Sequence, residues 1–181
     1  KPLFESRIDV NSTIDTLRYY AGWADKAGGE TIPVEGNFFS YIRHEPLGVI
    51  GAIVPWNFPL NLASGKFAPA LAAGCTVVLK PASETPLTAL LMAEIMAEAG
   101  FPAGAFNVVP GHGSTAGSAL VKHPGVDKIS FTGSTETGRR IMRDAADHVK
   151  RISLELGGKS PNVIFADADL PSAIRGAQNG I

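Results

Sequence analysis

Two observations predict an α/β fold built on a Rossmann-like, mostly parallel open sheet with helices on both faces. From Leu47 onward, short apolar stretches of strand length alternate with segments of helix length, the pattern of a sheet whose connections cross over its faces. The unusual turns, at Pro55-Trp56-Asn57, Lys80, Gly111–Gly113, Thr132–Ser134 and Glu155–Gly158, each follow one of those strands. Parallel sheets bind ligands beyond the carboxyl ends of their strands, so the same turns mark a cleft.

In chain order, a helix is read over Asn11 to Lys26, with Ile14, Leu17, Tyr20, Ala21 and Ala24 on one face and Gly28-Gly29 ending it. Asn37 to Glu45 alternates aromatic and polar residues and reads as a half-exposed arm strand, expected to be antiparallel. Leu47–Val54 is a continuous apolar strand, stopped by a turn bounded by Pro55 and Pro59, neither of which can donate to a ladder. Leu60–Ala73 is a helix rich in small residues that can lie close on a sheet. Cys75–Leu79 is a buried-type strand ending in Lys80-Pro81, and Cys75 itself reads as packing. Thr85 is placed as the cap of a helix that has Pro86 at its first position and is stopped by Gly100 and Pro102. Phe106–Val109 is the next strand, and Gly111-His112-Gly113 leads into a short helix from Ser114. A strand at Lys128–Phe131, a helix at Ser134–His148 and strands at Arg151–Leu156 and Asn162–Phe165 complete the series. Leu170, Ile174, Ala177 and Ile181 fall at helical spacing.

Length and composition narrow the function. The 181 residues suit one globular domain, being 45% hydrophobic and 18% charged. A net charge of −1 offers no basic excess to neutralise a nucleic acid or an anionic membrane. The longest apolar run, Leu47–Val54, contains two glycines and is far too short to span a bilayer. The single cysteine cannot form an internal disulfide, and with no signal-peptide pattern present a reducing, cytoplasmic setting is expected. The chain opens on Lys1-Pro2 without Met and stops inside a helical pattern, so a piece of a longer polypeptide is expected. Its organisation is read as an N-terminal helical part over 1–35, an arm strand over 36–46 and a nucleotide-binding α/β unit over 47–181.

The stretch Lys128–Gly138 is the most informative. Ile129 and Phe131 alternate with polar neighbours, the chain turns at Gly133, and Ser134 can cap the following helix. Free amides of that first turn, together with the helix dipole, favour a phosphate beyond the strand end. An ordinary strand-to-helix turn has the same local form, and the coincidence of the other strand-end turns favours the phosphate site. Familiar nucleotide motifs are absent. Gly111-His112-Gly113-Ser114-Thr115-Ala116-Gly117 is one residue too long for G-x-G-x-x-G, and Gly158-Lys159-Ser160 lacks the first glycine and the helix of a P-loop. The four histidines are scattered without metal-ligand spacing, so no metal is expected.

Three residues can carry chemistry. Glu155 ends a strand beside Gly157-Gly158, where a carboxylate can act as a general base or simply face solvent. Asn57, between Trp56 and Phe58, can donate its carboxamide N–H to a developing oxyanion or serve as a plain turn residue. Lys80 ends a buried strand, where an ammonium group is costly unless a ligand or carboxylate meets it.

Four segments, Pro55–Leu60, Lys80–Leu87, Phe131–Gly138 and Leu154–Asn162, resemble the aldehyde dehydrogenase superfamily in type, order and spacing, and Leu17–Ala24 and Phe38–Pro46 are similar to its upstream region. The resemblance implies NAD(P)-dependent oxidation of an aldehyde to a carboxylic acid, in which a cysteine thiolate attacks, hydride passes to nicotinamide and water hydrolyses the thioester. It implies Asn57 as the oxyanion-stabilising amide, Glu155 as the general base for deacylation and Lys80 as the ribose-binding lysine. By the same resemblance, Ile53, Val54, Pro55, Trp56, Phe131, Thr132, Gly133, Ser134 and Thr137 line the cofactor, with Asn57, Glu155, Leu156 and Gly157 near the nicotinamide. Gly113 and Gly117 match the adenine-side turn, and the Asn37–Glu45 strand resembles an arm that pairs subunits of homodimers or homotetramers. The nucleophilic cysteine of the family falls downstream of Ile181, and Cys75, far upstream of Glu155, is no substitute. These 181 residues alone are therefore expected not to turn over aldehydes, and a dinucleotide-binding piece or an inactive family member stands as the alternative. Ser83 stands where many NAD-preferring relatives carry glutamate. Loss of that carboxylate removes a repulsion of roughly 1 kcal/mol or more toward a 2′-phosphate, so NADP is expected to be tolerated beside NAD.

Overall fold

The structure is a computed structural model describing residues 1–179. Helix α1 (Leu3–Ala21) begins at Leu3 rather than Asn11 and ends at Ala21 rather than Lys26. Its inward face is polar in its first half, with Asp9 and Thr13 buried before Leu17 and Tyr20 join the core, so an apolar-stripe reading misses its start. Ile14, expected inside, is exposed. Strands β1 (Glu30–Ile32) and β2 (Ser40–Ile42) pair antiparallel as a separate two-stranded ribbon. The arm is thus shorter than Asn37–Glu45 and draws a second strand from residues before 36, where sequence alone suggests only helix and loop.

The main sheet follows. Strand β3 (Val49–Ile53) leads through the double-proline turn into α2 (Asn61–Ala72), then β4 (Thr76–Lys80), α3 (Leu87–Glu98) and β5 (Phe106–Val108). A π-helical turn at Gly113–Gly117 runs into α4 (Ser118–Lys122), followed by β6 (Lys128–Thr132), α5 (Thr135–Ala146), β7 (Arg151–Glu155) and α6 (Leu170–Asn179). All pairings in the five-stranded sheet are parallel, in the order β5-β4-β3-β6-β7. The expected α/β class holds, and the sheet proper is wholly parallel.

Alternation along the central strand divides the core. Ile50, Ala52 and Val54 join Val77, Leu79, Phe67 and Ala63 on the face covered by α2 and α3. Ile53 joins Ile129, Phe131, Val121, Ile141 and Ala145 on the face covered by α4 and α5. Cys75 is buried in the first cluster, as expected of a packing residue. Helix α1 lies outside α2, so one face of the sheet carries two helical layers.

Two expected local features are absent. Thr85 does not cap α3: Pro86 precedes the helix without a side-chain cap, Thr85 N–H turns back to the Ala82 carbonyl (3.2 Å), and its Oγ1 is buried without a partner. Asn162–Phe165 forms no strand, because no neighbour among the described residues supplies a ladder; Val163 and Phe165 are exposed instead. Ile181 of the last helical pattern lies outside the described residues. Among the described residues no helix is long and apolar enough to cross a membrane.

Close approach of β3 to α4 requires Gly51. A Cβ there would lie 2.8 Å from Ile129 Cδ1 and 3.2 Å from both Leu120 Cγ and Val126 Cγ1. Gly51→Ala should therefore cost about 1–3 kcal/mol by overpacking; an unchanged denaturant midpoint would contradict the packing described.

Candidate functional site

The turn between β6 and α5 stands between two hollows at the carboxyl edge of the sheet. Ser134 has an extended backbone (φ −70°, ψ 147°), and its Oγ accepts from Thr137 N–H at 3.2 Å, so it caps α5 as the sequence predicts. The Thr135 and Glu136 amides have no intrahelical acceptor at these positions and remain available, with the helix dipole behind them, for an anion. Gly133 N–H donates to the Glu155 carbonyl (3.0 Å), which ties the turn to the end of β7. Only glycine fits there, since a Cβ would come within 2.5 Å of the Phe131 ring.

The first hollow, about 370 Å³, lies between the ends of β3 and β4 and the helices α4 and α5. It brings together Ile53, Lys80, Gly113, Gly117, Phe131 and Thr137, all expected from sequence. Lys80 is 4% exposed, and burial lowers its pKa against the opposing charge of Glu84. Its Nζ donates to the Pro81 carbonyl. A Cβ at Gly117 would sit 3.4 Å from Lys80 Cδ, so the π-helical turn packs on the lysine stem. Ser83 does not line the hollow; its Oγ donates to the Gly111 carbonyl at 3.2 Å and joins the two loops at its edge.

The second hollow, about 550 Å³, lies on the other side of the β6–α5 turn. Pro55, Trp56, Asn57, Thr132, Gly133, Glu155, Leu156 and Gly157 meet there. The Asn57 carboxamide and the Glu155 carboxylate, ninety-eight positions apart by subtraction of their numbers, thus face one space. Both side chains are exposed, and among the described residues neither has a hydrogen-bond partner, so each is free to meet a ligand. Val54 is buried in the core behind the hollows and presents its N–H to the Lys80 carbonyl (3.2 Å). Ser134 acts through its cap rather than by lining either space.

Several lining residues escape the sequence reading. Arg140, Ile141 and Asp144 share with Thr137 one face of α5 and close the first hollow; spacing of three, four and seven from Thr137 would have found them. Lys66 is the less legible case. It reaches from α2 to Ser130 Oγ on β6 (3.1 Å), and burial lowers its pKa while the charge of Glu155 opposes that shift and Lys128 adds to it. The charges of Lys66 and Glu155 therefore act on one another across the sheet edge, signalled in sequence only by a lone lysine in an apolar helix.

A parallel sheet whose strand order switches at β3, with a capped helix N-terminus and a buried lysine at that crevice, is the architecture of a dinucleotide-binding α/β unit. The match to known proteins makes this specific. Over residues 1–181 the sequence matches the aldehyde dehydrogenase family, and the chain belongs to it. It is 57% identical over 183 residues to retinal dehydrogenase 2 of Mus musculus, covering 100% of this chain and 35% of that protein. It is 56% identical over 174 residues to aldehyde dehydrogenase 1A1 of Homo sapiens, covering 96% of this chain and 35% of that protein. The NAD+ complex of aldehyde dehydrogenase from Bacillus cereus superposes with a TM-score of 0.93 at 55% identity, over 96% of this chain and 35% of that one. A point variant of betaine aldehyde dehydrogenase from Staphylococcus aureus bound to NAD+ reaches 0.96 at 49% identity, over 99% of this chain and 37% of that one. The chain thus spans about a third of the length of the relatives it matches.

Lys80 is held at the site against its own solvation. Lys80→Met, which keeps the stem and removes the ammonium group, should leave unfolding stability unchanged or raise it by about 1 kcal/mol. A fall of that size would mean that the charge serves the fold rather than a ligand.

Proposed function

We propose that this chain supplies the NAD(P) site, the oxyanion amide and the general base of an enzyme that oxidises an aldehyde to a carboxylic acid. The observation that carries the reading is the shared hollow of Asn57 and Glu155, adjoining a groove with a helix N-terminus and a buried lysine. The residues present suit a dinucleotide. Free first-turn amides of α5 suit a phosphate, Lys80 suits a ribose hydroxyl pair, and the apolar pair Ile53 and Phe131 with the Gly113–Gly117 turn suits a flat ring. Bound NAD(P) supplies the two-electron oxidant. Asn57 donates its carboxamide N–H where negative charge develops on the aldehyde oxygen, and Glu155 accepts a proton from the water that releases the acid. The nucleophile lies outside these 181 residues, since Cys75 is packed in the core. The exposed Phe38, Phe39 and Tyr41 of the β1–β2 ribbon suit a subunit-pairing arm.

Cofactor choice follows from Ser83. Its hydroxyl is tied to Gly111, and no carboxylate occupies that position to repel a 2′-phosphate, so NADP and NAD are both accommodated.

In the full-length protein carrying this chain, Glu155→Gln should preserve one rapid equivalent of NADH and slow steady turnover by about 10²–10⁴-fold, the usual weight of a general base. Wild-type turnover in the variant would remove Glu155 from the role. The 181 residues alone should yield no steady NADH with any aldehyde.

A further inference from the structure

We infer that Asp9, on a helix outside the cofactor groove, is a positioning residue for the Asn57 amide and acts through a clamp on the double-proline turn. Asp9 is the carboxylate buried among the described residues, at 5% exposure. Its Oδ1 accepts from the Asn61 N–H at 2.9 Å, and its Oδ2 lies 3.3 Å from Lys1 Nζ. The same Lys1 Nζ donates to the main-chain carbonyl of Asn57 at 3.1 Å and sits 3.9 Å from the centroid of the Phe58 ring. One carboxylate therefore grips the turn directly at its exit and, through one ammonium group, at its middle.

The turn has little else to hold it. Pro55 and Pro59 have no N–H, and among the described residues the N–H groups of Trp56, Asn57, Phe58 and Leu60 donate to no acceptor. Helix α2 starts behind Leu60, which has no side-chain acceptor, so Asp9 caps it from another helix. The charge suits the positive end of the α2 dipole. Asp9 is fixed in turn: Thr13, fully buried on the same face, donates its Oγ1 to the Asp9 carbonyl at 2.8 Å. A catalytic donor displaced by about 1 Å loses much of its effect; the carbonyls of Phe58 and Leu60 are tied into α2, but the Asn57 carbonyl is held by Lys1, so the clamp transmits the loss of Asp9 to Asn57.

This inference rests on the oxyanion role proposed for Asn57, and the two fail differently. In the full-length protein carrying this chain, Asp9→Asn and Lys1→Met are each compared with wild type and repeated in an Asn57→Ala background. Each should lower kcat/KM for an aldehyde by about tenfold, leave the Kd for NAD near the wild-type value, and have no further effect once Asn57 is Ala. Lys1→Met leaves the α2 cap in place and decides the matter if Asp9→Asn does not fold. Losses that multiply with Asn57→Ala, or unchanged kcat/KM in a folded Lys1→Met variant, overturn the clamp. A wild-type protein inert toward aldehydes overturns the reading of Asn57 and the clamp with it.

Discussion

Register at the centre of the sheet decides where every functional side chain falls. Ile53 pairs with Lys80 on one side and with Phe131 on the other, Phe131 pairs with Leu154, and Thr132 pairs with Glu155. Residues from four separate strands are thereby aligned at one edge. A slip of one residue would turn Lys80 into the cluster around Leu79 and Phe67 and carry Leu79 to the opposite face. The apolar alternation of β3 and β4 sets the register, and the register sets the site. Because β4 and β5 extend to one side of β3 and β6 and β7 to the other, the two halves part at its carboxyl end and leave the crevice.

Three desolvated lysines, Lys80 and Lys150 buried and Lys66 half-buried, show how the two edges of the sheet differ. Lys150, at the amino edge, donates to the carbonyls of His123 and Val126, and nearby Asp127 receives the Val49 N–H at 2.7 Å. Burial lowers its pKa, Asp127 opposes the shift, and its protein partners give it a structural role. Lys80, at the carboxyl edge, is desolvated in the same way but borders the first hollow, while Lys66 reaches Ser130 within β6. A desolvated charge at an open cleft is a frequent mark of a functional site. The Asp9–Lys1 clamp lies further out, with α1 buttressing the double-proline turn.

Much of this was legible because it depends on local chemistry. The strand cores, the Ser134 cap and the stop at Gly100, whose φ of +86° suits glycine, all follow from neighbours in sequence. Asn57, Glu155 and Lys80 were legible as strand-end residues, and family resemblance gave them roles. What escaped depends on partners far away in the chain. Asp9 falls before the helix expected from Asn11 and Thr13 off its apolar face, so both gain a role only against α2, and Lys66 gains meaning only beside Ser130 and Glu155. Asn162–Phe165 has strand composition but, among the described residues, no neighbour to pair with, and Thr85 has a capping side chain but follows a turn that aims it elsewhere. Strands and caps are completed by geometry, and composition cannot supply it.

As proposed, the β6–α5 turn and the Gly113–Gly117 turn are two walls of one dinucleotide site. Amide hydrogen exchange of the full-length protein with and without NAD tests this most directly. Exchange should slow at 113–117 and 133–137 and stay unchanged in the ribbon over 30–42. Unchanged exchange at 133–137 under saturating NAD would contradict it.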